Sequence, residues 1–102
     1  MPSELEITPD CGVLARTHVQ LEIVDGQVVL LNLETAEFFG LDEIAKRVWD
    51  ILSEGASIKQ AATTMSLDYE ASEDQILVDI IGLISNLRDL GLVRVDHTGI
   101  NQ

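Results

Sequence analysis

Apolar and polar positions alternate over residues 19–23, with Val19, Leu21 and Ile23 on one side and Gln20 and Glu22 on the other. A period of two predicts a half-buried strand. Asp25-Gly26 follows, a pair that tolerates positive φ at both positions and so suits a tight hairpin. Residues 27–33 predict the returning strand, Glu34-Thr35 a second turn, and Ala36-Glu37-Phe38-Phe39 a short third strand. Together these make a three-stranded antiparallel meander.

At Gly40-Leu41-Asp42 the spacing becomes helical. Asp42 is the expected N-cap, Ile44, Ala45, Val48, Trp49 and Leu52 share one face, and Gly55 ends the helix. Ser57-Ile58-Lys59-Gln60 has the form of a capping box and opens a short helix with Ile58, Ala61, Ala62 and Met65 inward. Ser72-Glu73-Asp74-Gln75 repeats that logic and starts the longest helix, which runs to about Leu90 and closes at Gly91. Residues 92–95 predict a final short strand. The fold class is α+β, a three-stranded antiparallel β-meander followed by a three-helix winged helix-turn-helix. Residues 1–16, with Pro2, Pro9 and Gly12, read as a flexible N-terminal arm, 17–96 as the domain, and 97–102 as a frayed tail.

The third helix is apolar over more of its circumference than a surface helix needs. With residues ~100° apart, Ile76, Ile80, Leu83, Leu87 and Leu90 cluster as a core stripe. Leu77, Ile81 and Ile84 extend the apolar surface on one flank, ending at Arg88, while Asp79 and Asn86 occupy the other. The extra flank either packs on the sheet or first helix, or lines a groove open to a peptide. The third strand bears on that choice. As the last strand of a meander it lies at the sheet edge, where free N–H and C=O groups can pair with another chain. Phe38 and Phe39 leave opposite faces, one toward the core and one toward a pocket floor. The same edge can pair with a second copy, giving a homodimer.

Composition narrows the chemistry. Eighteen acidic against six basic residues give a net charge of −12, which is read as a solvated acidic surface and disfavours nucleic acid and anionic lipid. A winged-helix transcription module is the rival of another class. Yet the third helix carries Glu73, Asp74, Asp79 and Asp89 against Arg88 alone, the wrong sign for phosphate contacts. A single cysteine, Cys11, excludes an internal disulfide and suits a reducing compartment. The N-terminus lacks an apolar signal core, and the apolar run at 28–31 is far short of the ~20 residues that span a bilayer. The chain reads as cytoplasmic. His18, His97 and Cys11 show no metal-ligand spacing, so no metal or cofactor is expected. A hydrolase using Cys11 and His18 ranks far behind, since both sit in or beside the arm. Trp49, beside Val48 and Leu52, reads as a core anchor.

Residues 30–93 resemble the PqqD-like family, the precursor-peptide recognition elements of ribosomally made, post-translationally modified peptides. The resemblance rests on the order of Leu30-Leu31, Glu34-Thr35, Phe38-Phe39, Leu41-Asp42, Trp49, Asp79 and Gly91-Leu92. It implies a non-enzymatic adaptor that binds a precursor's leader as an added strand between the third strand and third helix. The adaptor would then present the leader to a leader peptidase or another modifying enzyme. Carried over by position, Ala36, Glu37, Phe38, Phe39 and Gly40 provide backbone pairing. Leu77, Ile81 and Ile84 provide side-chain pockets, and Arg88 meets an acidic leader residue. Asp79 matches a recurrent aspartate but faces away from this groove and reads as structural. The aromatic third strand and Leu41-Asp42-Glu43-Ile44 look more like the stand-alone partners of lasso-peptide clusters. The alternative is the chaperone of pyrroloquinoline quinone synthesis, whose typical Tyr-Pro-Glu-Gly turn is replaced here by Leu33-Glu34-Thr35-Ala36.

Overall fold

The computed structural model describes residues 6–97, and its first strand, β1 (Gly12–Ala15), lies inside the segment expected to be an arm. That expectation is corrected for residues 12–15. Val13 and Cys11 are buried, and the carbonyls of Pro9 and Cys11 accept hydrogen bonds from the N–H groups of Lys59 and Ile58. Those donors belong to the first turn of a helix and have no partner within it. Residues 1–5 and most of the expected tail, 98–102, lie outside the described residues.

The meander forms as expected, from β2 (Val19–Val24), β3 (Gln27–Asn32) and β4 (Phe38–Leu41), in the spatial order β2-β3-β4 with both pairings antiparallel. Asp25 and Gly26 both take positive φ, 52° and 79°, as the tight hairpin requires. The second turn is longer than expected. Ala36 is left-handed at φ 64°, its N–H bonds the carbonyl of Asn32, and β4 therefore starts at Phe38 instead of Ala36. Leu30 faces Phe39 and Val28 faces Leu41 across the strands, which gives the sheet its core side.

Three helices follow: α1 (Glu43–Ser53), α2 (Ile58–Tyr69) and α3 (Glu73–Asp89). The Asp42 carboxylate accepts from the Ala45 N–H at 2.8 Å, and Ser57 and Gln60 form the full reciprocal box. Ser72 accepts from the Gln75 N–H at 3.2 Å, but the Gln75 amide turns away and donates to Asp79 at 3.0 Å. All four inward residues of α2 are buried, as are Val48 and Leu52 of α1. A last strand, β5 (Val93–Asp96), pairs antiparallel with β1 to make a separate two-stranded ribbon.

The buried row of α3 is turned from the expected one. Ile80, Ile84 and Leu87 are buried, whereas Ile76, Leu83 and Leu90 are only half-buried. The centre of burial is rotated by ~45°, less than one residue step, toward Ile84.

Candidate functional site

Alternation of the antiparallel ladder fixes which groups of β4 are free. The Asn32 N–H donates to the Glu37 carbonyl at 2.8 Å, so the directly opposed pair 32/37 is a hydrogen-bonded one. By alternation Leu30/Phe39 and Val28/Leu41 are hydrogen-bonded too, and the main-chain groups of Phe38 and Gly40 point to the outer edge. No strand pairs with that edge among the described residues. Phe38 is 66% exposed, while Phe39 packs against the core, as its opposite facing requires. Gly40 gives room for a neighbour, since a Cβ there would lie 2.7 Å from the Gln27 side-chain nitrogen.

The direction of α3 along this edge follows from its tethers. The buried Asn32 amide donates to the Leu90 carbonyl at 3.4 Å, and His18 Nε2 lies 3.3 Å from the Gly91 carbonyl oxygen. The end of α3 is thus held at the Asn32 end of the sheet, where β4 begins. Just beyond the end of β4, Asp42 with Ile44, Ala45 and Val48 of α1 shares a hollow of about 330 Å³ with Met65 and Tyr69 of α2 and Ile76, Asp79 and Leu83 of α3. The start of α3 therefore lies toward the end of β4 and its end toward the start of β4, so the two run antiparallel, and the half-buried apolar positions of α3 at the hollow and at the Asn32 tether are Ile76, Leu83 and Leu90. The hollow is mainly apolar, with the carboxylates of Asp42 and Asp79 among its walls.

This arrangement divides the expected site. Phe38, Phe39 and Gly40 lie on the edge strand, with Ala36 and Glu37 in the turn before it. Ile84 is 0% exposed and belongs to the core, so it has no surface to offer a groove. Leu77 and Ile81 are half-buried against the core, and Arg88 opens onto a different hollow, beside β5. Asp79 and Leu83, assigned on sequence to structural and core roles, stand instead in the hollow shared by α1, α2 and α3. The missed signal was local: Gln75, Asp79 and Leu83 are successive i,i+4 neighbours, a polar pair leading into an apolar position on one face.

No helix among the described residues is long and apolar enough to cross a membrane, and no group of three or more potential ligands there could hold a metal ion. The buried Cys11 Sγ lies 3.3 Å from His97 Nδ1 and 3.2 Å from Thr8 Oγ1, a partly buried contact that joins the residue before β1 to the residue after β5.

Two solved structures share the fold. The first, described as "TbiB1 in Complex with the TbiA(beta) Leader Peptide", is 26% identical with a TM-score of 0.71, covering 78% of this chain and 93% of that one. The second, "Lasso peptide synthetase B1 complexed with the leader peptide", is 23% identical with a TM-score of 0.74, covering 79% and 95%; at that identity the likeness is one of fold. A search of curated proteins gives no match. The sequence profile described as Coenzyme PQQ synthesis protein D (PqqD) matches residues 27–93 of the 102, and on that match the chain belongs to the PqqD family.

Proposed function

We propose that this protein is a non-catalytic adaptor that binds the leader of a ribosomally made precursor peptide, of the lasso type, and presents it to the enzymes that process it. The observation that carries the reading is the free edge of β4 running antiparallel to a half-buried apolar flank of α3. An extended peptide would pair with the outward main-chain groups of Phe38 and Gly40. Its inward side chains would meet Ile76, Leu83 and Leu90, and a cationic or hydroxyl group would sit beside Asp79. Backbone pairing supplies affinity with little demand on sequence, and the pockets supply selectivity. The likeness to two proteins solved with leader peptides supports this use of the fold. Delivery of a precursor in quinone synthesis is the second reading, favoured by the family's description.

The test is an amide-shift titration of the labelled protein with the leader of a lasso-type precursor encoded beside its gene, repeated with a quinone-pathway precursor. Saturable shifts over residues 38–41 and along the Asp79 flank are expected with the first peptide. Leu83→Asp should weaken binding by ~10-fold or more, as for a residue at the centre of an interface, with Glu54→Ala as the unchanged control. A larger loss for Ile81→Asp than for Leu83→Asp would restore the Leu77-Ile81 flank as the groove wall. Saturation by the quinone-pathway precursor alone would select the second reading.

A further inference from the structure

The other edge of the meander is β2, at the far side of the sheet from β4. The Leu33 N–H donates to the His18 carbonyl at 2.8 Å, which makes the opposed pair 18/33 a hydrogen-bonded one. By alternation Gln20/Leu31, Glu22/Val29 and Val24/Gln27 bond across to β3, and the main-chain groups of Leu21 and Ile23 point outward. No strand pairs with that side among the described residues, and residues 20–24 are all exposed. Leu21 and Ile23 stand opposite Leu30 and Val28, on the core side of the sheet, yet are 37% and 71% exposed. The β2–β3 pairing runs without a bulge over all six residues of β2, which contains neither proline nor lysine, the usual means of blunting an edge.

The ends and the centre of this edge are closed to a second copy of the chain. The Arg16 carbonyl accepts from the Val19 N–H at 3.1 Å, so a tight turn closes the outer side of β2 at that end. The Asp25-Gly26 turn closes the other, leaving room for a segment that pairs with Leu21 and Ile23 and is centred on Glu22. A two-fold pair of β2 strands has three registers that join outward groups. Leu21 against Ile23 sets Glu22 directly opposite its own copy. Leu21 against Leu21 drives Ile23 of the second copy onto the Arg16 turn. Ile23 against Ile23 sets Leu21 opposite Asp25, where the chain has already left the strand. Like charges directly opposite are destabilising, and a net charge of −12 on each copy adds to the cost. Glu22 itself is exposed and makes no ion pair among the described residues.

We propose that the β2 edge is a second strand-addition site, and that its occupant is an extended apolar–basic–apolar segment of a partner protein. The main chain of the added antiparallel strand would pair with Leu21 and Ile23. Glu22 then holds a non-hydrogen-bonded position, where opposed side chains stand closest, so a lysine or arginine there meets its carboxylate. Apolar residues on either side fall opposite Leu21 and Ile23 and take their exposed surface out of water. The net charge of −12 draws such a segment in and repels acidic ones. β3 separates this edge from β4, so both edges can be filled at once. The identification of the partner as the enzyme that receives the leader rests on the adaptor reading; the site itself does not.

The test uses the full chain and three synthetic peptides, in which valine alternates with lysine, glutamine or glutamate. The lysine peptide should give saturable amide shifts at Leu21 and Ile23 that weaken with salt. Glu22→Lys should bind it ~3-fold more weakly or worse and turn the preference toward the glutamate peptide. Glu54→Lys, which makes the same change of net charge at a remote exposed position, should lose distinctly less. Leu21→Pro should bind ~10-fold more weakly than Leu21→Ala, because it removes an outward donor and spares the ladder to β3. A native amide spectrum of each variant confirms folding, and leader binding should be unchanged in all of them. No shifts at β2, equal binding of the lysine and glutamine peptides, or equal losses for Glu22→Lys and Glu54→Lys would each overturn the proposal. So would dimers of the unliganded chain that Leu21→Pro abolishes, which would give the edge to a second copy. Lysine-peptide binding at β2 in a protein that binds no leader would leave this site standing and remove the adaptor reading.

Discussion

One buried amide, that of Asn32, lies between the β3–β4 turn and the end of α3. Its Oδ1 accepts from the N–H groups of Glu34 and Thr35 at 2.9 and 3.2 Å, and its Nδ2 donates to the Leu90 carbonyl. A single side chain thus sets where β4 begins and how α3 lies beside it. Gly91, at φ 72°, would place a Cβ 3.4 Å from that same nitrogen, so the helix end and the amide fit each other closely. Asn32→Ala is expected to lower stability by about 1–3 kcal/mol, the range for buried hydrogen bonds lost without replacement. Urea unfolding measures this, and a change below ~0.5 kcal/mol would show the tether to be idle. The rotation of α3 is testable at the same scale. Ile84→Ala should cost about 2–5 kcal/mol as a core truncation, and half-buried Leu83→Ala distinctly less. The reverse order would return the core stripe to the position its periodicity suggested.

At the scale of elements, strand addition makes a sharper demand than pocket filling. The Phe38 N–H lies on the outer side of β4, so proline there removes a donor from the edge without breaking the β3–β4 ladder. Phe38→Pro should weaken leader binding by ~10-fold or more relative to Phe38→Ala, which removes the same exposed ring and keeps the N–H. Equal affinities for the two variants would mean that the peptide does not pair with this strand. The elements themselves were largely legible. The meander and the three helices announce themselves through local period and caps, because each signal is carried by residues within a few positions of one another. The β1–β5 ribbon was not, since the partner of Val13 is Val95 and the carbonyls of Pro9 and Cys11 serve α2. Nothing near Gly12 in sequence records those contacts. The groove wall failed for another reason. When apolar residues cover about half a helix, a rotation of ~45° changes which flank is buried without violating the pattern. Ile84 and Leu83 exchanged roles on that margin, and Asp79 moved into the hollow with Leu83.

For the molecule as a whole, charge governs both stability and company. A net charge of −12 on 102 residues opposes compaction by self-repulsion. The Lys46–Asp50 and Arg47–Asp68 pairs, at 2.7 and 2.6 Å, are both partly exposed, where such pairs contribute little. Salt shortens the range of the repulsion, from a Debye length of ~30 Å at 0.01 M to ~10 Å at 0.1 M. The melting temperature should therefore rise over that interval, by a few degrees as expected for ~1 kcal/mol in a domain of this size. The same repulsion bears on the open edge of β4, because two copies meeting edge to edge bring together two acidic bodies. Sedimentation at 0.01 M salt should find monomers, with any self-association through β4 emerging as salt is raised and suppressed by Phe38→Pro or by saturating leader. Dimers that persist at low salt and ignore Phe38→Pro would place the contact elsewhere. A melting temperature that falls with salt would show that local ion pairs, and not net repulsion, dominate the electrostatics of this fold.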